Sequence, residues 1–136
     1  MTRIHLSLRT ANLAATTAFY ADLFGTDPDK VEDGYVRFLP EDLPIVLSIS
    51  PGEPAVDHMG IRIDDPQLLA AQALRLGQEL NDGVICCHAE KTELWRMDPD
   101  GRAWELYGVT DERPVAASTG SSCCQPGAPA AARGCK

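Results

Sequence analysis

Two segments of the chain, His5-Leu6-Ser7-Leu8-Arg9 and His58-Met59-Gly60-Ile61-Arg62, repeat one pattern of His, apolar, small, apolar, Arg, 53 residues apart. A neutral imidazole is a common metal ligand, and two at matched places in a repeat are candidates for one shared ion. A third candidate is Glu105, in Ala103-Trp104-Glu105-Leu106-Tyr107, flanked by large apolar residues. A carboxylate in the middle of such a strand is costly to bury without a partner. Taken singly, a strand histidine is more often a hydrogen-bonded core or surface residue, and a strand glutamate more often faces solvent. Taken together, His5, His58 and Glu105 form the two-imidazole, one-carboxylate set that leaves positions open on Fe(II) for oxygen and substrate. The repeat maps Glu105 back to about Ser48 or Ile49, neither a good ligand. A metal held by three side chains with an open side suits catalysis better than a closed structural site.

The elements that must position these groups follow the repeat. Each histidine segment alternates at period two and reads as a strand with one buried face. Leu13, Thr17, Tyr20 and Phe24 then share a spacing with Leu69, Ala73, Leu76 and Leu80, and each series predicts a helix laying one apolar stripe on a sheet. Asn12 is a candidate N-cap and Gly25 a candidate stop. Further strands are expected over 35–39, 45–50, 84–89, 93–97 and 102–108, with a weaker one near Pro28 to Glu32. Asp98-Pro99-Asp100-Gly101 is a tight-turn signal joining the last two as a hairpin. The expected fold is therefore α+β: two βαβββ modules, about 1–52 and 53–109, forming a concave mixed sheet with flanking helices. Residues 110–136 are rich in Pro, Ala, Gly and Ser, lack apolar periodicity, and are expected to form a flexible tail carrying Cys123, Cys124 and Cys135.

Bulk properties narrow the function. The chain of 136 residues has room for one such core, and its net charge of −8 lacks the basic face that phosphates require. The same charge disfavours an anionic membrane surface, and no apolar run approaches the roughly 20 residues that span a bilayer. With no signal-type apolar run after Met1, a cytoplasmic location is expected. Five cysteines in a reducing compartment point to chemistry more than to disulfides.

At these residues the sequence resembles the vicinal oxygen chelate superfamily, which includes glyoxalase I, bleomycin-resistance proteins and extradiol dioxygenases. The resemblance is carried by His5 and His58, by Asn12-Leu13 followed by Ala18-Phe19-Tyr20 and Leu23-Phe24-Gly25, and by Asp98-Pro99-Asp100-Gly101 before Trp104-Glu105-Leu106-Tyr107; it covers residues 1 to about 109. The vicinal pair Cys86-Cys87, with Gly34-Tyr35, Phe38, Leu47, Trp95 and a cysteine-bearing tail, is similar to the organoarsenical carbon–arsenic lyases and the related cadmium-inducible proteins. That resemblance implies an Fe(II)-dependent, dioxygen-using lyase that releases arsenite from trivalent methyl- or aryl-arsenicals. Nickel, cobalt or zinc could stand in for iron in a resting form.

Within it, Cys86 and Cys87 would grip the soft arsenic. His88 is either a proton donor behind the ligands or a surface residue, with the surface favoured. Cys123 and Cys124 would relay arsenic or be tolerated thiols. Tyr35, Phe38, Trp95 and Trp104 would line a cavity or, more commonly for such residues, pack the core. Modules of this superfamily assemble within one chain or are exchanged in a homodimer. The segment Glu90-Lys91-Thr92-Glu93 is more charged than the resemblance leads one to expect. Four competing readings are a non-enzymatic cadmium or arsenic binder, a glyoxalase-type isomerase, a catechol dioxygenase, and a metal-free drug-binding resistance protein, which would leave His5, His58 and Glu105 unexplained. The isomerase would want a fourth ligand near Ser48, and the catechol dioxygenase would leave Cys86-Cys87 without a task.

Overall fold

The alternating strand β1 (Arg3–Thr10) sends His5 to one face of a sheet and Leu6 and Leu8 to the other, in a computed structural model that describes residues 1–86 and 89–112. Helix α1 (Leu13–Phe24) follows, started by Asn12, whose Oδ1 accepts from the Ala15 backbone N–H at 3.0 Å, and ended at Gly25. Strands β2 (Lys30–Glu32), β3 (Tyr35–Phe38) and β4 (Ile45–Pro51) complete the first unit. The second repeats the order: β5 (Ala55–Arg62), α2 (Pro66–Leu76), β6 (Asn81–Cys86), β7 (Ala89–Met97) and β8 (Ala103–Asp111).

All eight strands form one mixed sheet in the order β2-β3-β4-β1-β5-β8-β7-β6, which reads as two copies of one four-strand arrangement meeting at β1 and β5. In each copy the first and last strands run parallel (β1 with β4, β5 with β8), while the two copies join antiparallel. The helices cover one face. Under α1 lie Val36, Phe38, Leu47 and Ile49; Leu69 and Ala73 of α2 pack on Ile63, Leu94 and Leu106. Burying these apolar side chains is the main force holding the helices to the sheet. The opposite face carries polar groups that are buried all the same: His5, Ser48, His58, Arg62, Lys91, Glu93 and Glu105. Such an interior persists only where its members satisfy one another. This architecture is the expected α+β arrangement of two βαβββ units in one mixed sheet with helices on one face.

Several boundaries differ from the expectation. Helix α2 stops at Gly77, whose φ of 66° lies in the left-handed region, so Leu80 packs on the core from the loop beyond instead of from the helix. Strand β7 begins at Ala89, not near Glu93, so the charged run 90–93 is strand. Its polarity hid it, because the side chains at 91 and 93 face the polar interior and not the apolar core. Strand β6 ends at Cys86 and β8 runs on to Asp111. Among the described residues, no helix is long and apolar enough to cross a membrane.

Candidate metal centre

Three neighbouring strands supply the ligand candidates. In the sheet register His5 lies beside Gly60, and Gly60 beside Glu105. Gly60 is needed there because a Cβ at that position would lie 2.6 Å from the Glu105 carbonyl oxygen. With no side chain between them, His5 and Glu105 approach each other, and His58, two residues before Gly60, joins from the same face. Oε2 of Glu105 is 3.6 Å from His58 Nε2 and 3.9 Å from His5 Nδ1. One ligand atom from each of the three lies within 4.8 Å of the others, and all three residues are buried.

A local irregularity orients His58. Consecutive strand residues normally face opposite sides of a sheet. The β1–β5 ladder skips Asp57, pairing Ser7 with His58 and Leu8 with Val56, and this bulge turns Asp57 toward its own neighbour. Oδ2 of Asp57 accepts a 2.8 Å hydrogen bond from His58 Nδ1, while Oδ1 faces Arg9 Nε at 3.5 Å. Nδ1 is thereby fixed as a donor and Nε2 is turned toward Glu105, the arrangement by which a carboxylate can orient a histidine for metal binding. Burial alone would depress the His58 pKa, but Asp57 and Glu105 outweigh it and hold the ring above its ordinary value.

His5 is oriented from the other side. Its Nε2 shares a 2.9 Å hydrogen bond with Ser48 Oγ, and burial pushes its pKa down to about 3 despite the pull of Glu105, so the ring is neutral. Ser48 is the position to which the repeat maps Glu105: Ser7 pairs with Ser48 as Gly60 pairs with Glu105. The first module thus contributes a hydroxyl that steers a histidine where the second contributes a carboxylate. His5 Nδ1 and Glu105 Oε2 are both buried and make no hydrogen bond. Two inward-facing polar atoms left unsatisfied are costly, and a divalent cation is a partner that two imidazoles and a carboxylate fit.

Strand β7 adds Lys91 and Glu93, which sequence reasoning misses, beside Trp95, which it names as a cavity or core residue. Lys91, Glu93 and Trp95 alternate onto the polar face. Lys91 Nζ donates to Glu105 Oε1 and lies 3.4 Å from Glu93 Oε2, and Trp95 Nε1 donates to Glu93 Oε1 at 2.9 Å. The Trp95 ring meets that of His58 edge-on at 5.1 Å. Burial would raise the Glu105 pKa, yet Lys91 and then His58 hold it well below the usual carboxylate range. Glu93 is pushed up to about 7 by burial and by Glu105 alongside. The signal that could have revealed them was the period-two placing of 91, 93 and 95 around Leu94, which is buried against α2.

The remaining candidates divide. Cys86 closes β6, its backbone opposite Ala89. Cys87, His88, Cys123, Cys124 and Cys135 lie outside the described residues. Of the four aromatic residues, Trp95 stands beside the triad, while Phe38 belongs to the core under α1. Tyr35 is buried and Trp104 half-buried.

No protein-family model matches the chain. It is 37% identical to the trivalent organoarsenical cleaving enzyme of Thermomonospora curvata, over 93% of this chain and 90% of that one. It is 32% identical to the cadmium-induced protein CadI of Mycobacterium tuberculosis, over 80% of this chain and 77% of that one. Among solved structures it resembles an extradiol ring-cleaving dioxygenase from B. fuscum, with a TM-score of 0.60 and 18% identity, over 85% of this chain and 35% of that one.

Proposed function

Because the chain belongs to the family of trivalent organoarsenical cleaving enzymes and cadmium-induced proteins, within the vicinal oxygen chelate superfamily, we propose that it cleaves the carbon–arsenic bond of trivalent methyl- or aryl-arsenicals and releases arsenite, using Fe(II) and dioxygen. The observation that carries this reading is the convergence of His5, His58 and Glu105 from three strands of both modules, with two of their inward-facing polar atoms left without a hydrogen bond.

In this reading His5 Nδ1, His58 Nε2 and Glu105 Oε2 hold the metal. Fe(II), when bound, supplies open positions for dioxygen beside the substrate. Asp57 and Ser48 keep the two rings turned inward. Burial of the polar face excludes water, which strengthens every charge interaction within it. Cys86 and Cys87 grip the trivalent arsenic as a dithiolate, leaving its organic substituent to be directed toward the metal. Adjacent cysteines close only a strained ring on oxidation, so in the cytoplasm, where we place the reaction, they stay available as thiols.

The test is to load the protein with Fe(II), add methyl- or phenyl-arsenite in air, and speciate the arsenic. Arsenite is expected as product. Replacing both Cys86 and Cys87 with Ser should abolish turnover while iron stays bound. Unchanged organoarsenical with intact iron would overturn the proposal. The match to a cadmium-induced protein favours a second reading, a soft-metal binder, which predicts tight Cd(II) or As(III) binding without turnover.

A further inference from the structure

A lysine ammonium is rarely buried, because it must leave water and find negative charge to replace it. Lys91 is 5% exposed. Its Nζ meets Glu105 Oε1, Glu93 Oε2 at 3.4 Å and the face of the Tyr107 ring, 4.9 Å from its centre. Glu93 is held in turn by Trp95, whose ring packs on His58, so the inward side chains of β7 form a frame running from Glu105 to His58.

This frame gives the two oxygens of Glu105 different tasks. Oε1 is taken by Lys91. Oε2 is buried, makes no hydrogen bond, and faces both imidazoles. A protonated lysine has three donors and no lone pair, so Lys91 cannot itself be a ligand in this state. Carboxylates bind divalent cations through one oxygen or through both, and the choice decides how many coordination positions remain.

We propose that Lys91 is a positioning residue that keeps Glu105 a one-oxygen ligand, so that a divalent cation on His5, His58 and Glu105 retains a coordination place that a two-oxygen carboxylate would fill. The inference rests on the metal site of the proposed function and is independent of the arsenical. The place so kept is one that substrate or dioxygen needs.

The experiment loads the full chain with Mn(II), measures metal stoichiometry, and counts bound waters by electron–nuclear spectroscopy in oxygen-17 water. A six-coordinate ion on three one-atom ligands carries about three waters. The wild type is expected to show that count, Lys91→Met one fewer with manganese still bound, and Lys91→Arg the wild-type count restored, because a guanidinium can still donate to Oε1. An equal count in the wild type and Lys91→Met overturns the proposal. So does a folded Lys91→Met that has lost manganese, which would make Lys91 a support of the site and not a selector of its ligand mode. If Lys91→Met does not fold, the wild type decides alone: a count of one fewer than the facial set allows means that Glu105 already binds through both oxygens. Failure of the wild type to release arsenite would sink the functional reading and leave this count untouched.

Discussion

Asp57 shows how much of a candidate ligand's behaviour is set by a residue outside the triad. Its carboxylate fixes the His58 proton on Nδ1 at 2.8 Å, and with it the atom that His58 offers. Asp57→Asn keeps the shape and loses the charge, so divalent-metal affinity is expected to fall by about 10–100-fold, read by competition with a chelating dye. Unchanged affinity would mean that shape alone orients the ring. At this scale the sequence displayed the candidate ligands His5, His58 and Glu105 but not their supports. Asp57 adjoins His58 in the chain, and alternation assigns such neighbours to opposite faces. Lys91 and Glu93 showed only as part of a charged run, because the contact that draws Lys91 inward is made across strands, to Glu105.

The element that makes the site compact is β5, with a bulge at Asp57 and a glycine at 60. Gly60→Ala would set a Cβ 2.6 Å from the Glu105 carbonyl, forcing β5 and β8 apart just where the ligands meet. Overpacking of this kind costs about 1–3 kcal/mol. Thermal denaturation should therefore show a lower Tm, and metal titration a weaker site, whereas the exposed Gly101→Ala should leave metal affinity as it was. The repeated His-apolar-small pattern displayed Gly60 as a small residue. It did not disclose why the residue is small, since the clash is with a strand 45 positions away in the chain. Helix starts and stops were legible because caps are local: Asn12 bonds within its own first turn.

Across the whole molecule, the end of the second module is tied back to the first by Glu112. Its carboxylate accepts from Arg37 of β3 at 2.8 Å and Arg62 of β5 at 2.9 Å, and Lys30 of β2 donates to its backbone oxygen at 2.7 Å. Burial would raise its pKa, but Arg37 and Arg62 hold it below the ordinary 4.5. A carboxyl depressed in the folded state contributes stability that is present above its unfolded value and lost as pH falls through the folded one. Glu112→Gln should accordingly lower the Tm at pH 7, and the gap from wild type should close as pH falls below 4.5. A gap that persists in acid would show that the contribution is not electrostatic.

The sequence by itself determined the fold class, the repeat and the candidate ligand types, because strand alternation, helix spacing and caps are written in residues near one another. It also carried the family resemblance, through motifs that are short and local. Only the tertiary structure decided which atom each histidine offers, that Ser48 steers His5 where Glu105 has its counterpart, and that a buried lysine divides the two oxygens of Glu105. These are contacts between strands far apart in the chain, fixed by sheet order, register and one bulge, and a shift of one residue in any pairing would turn every such side chain to the other face.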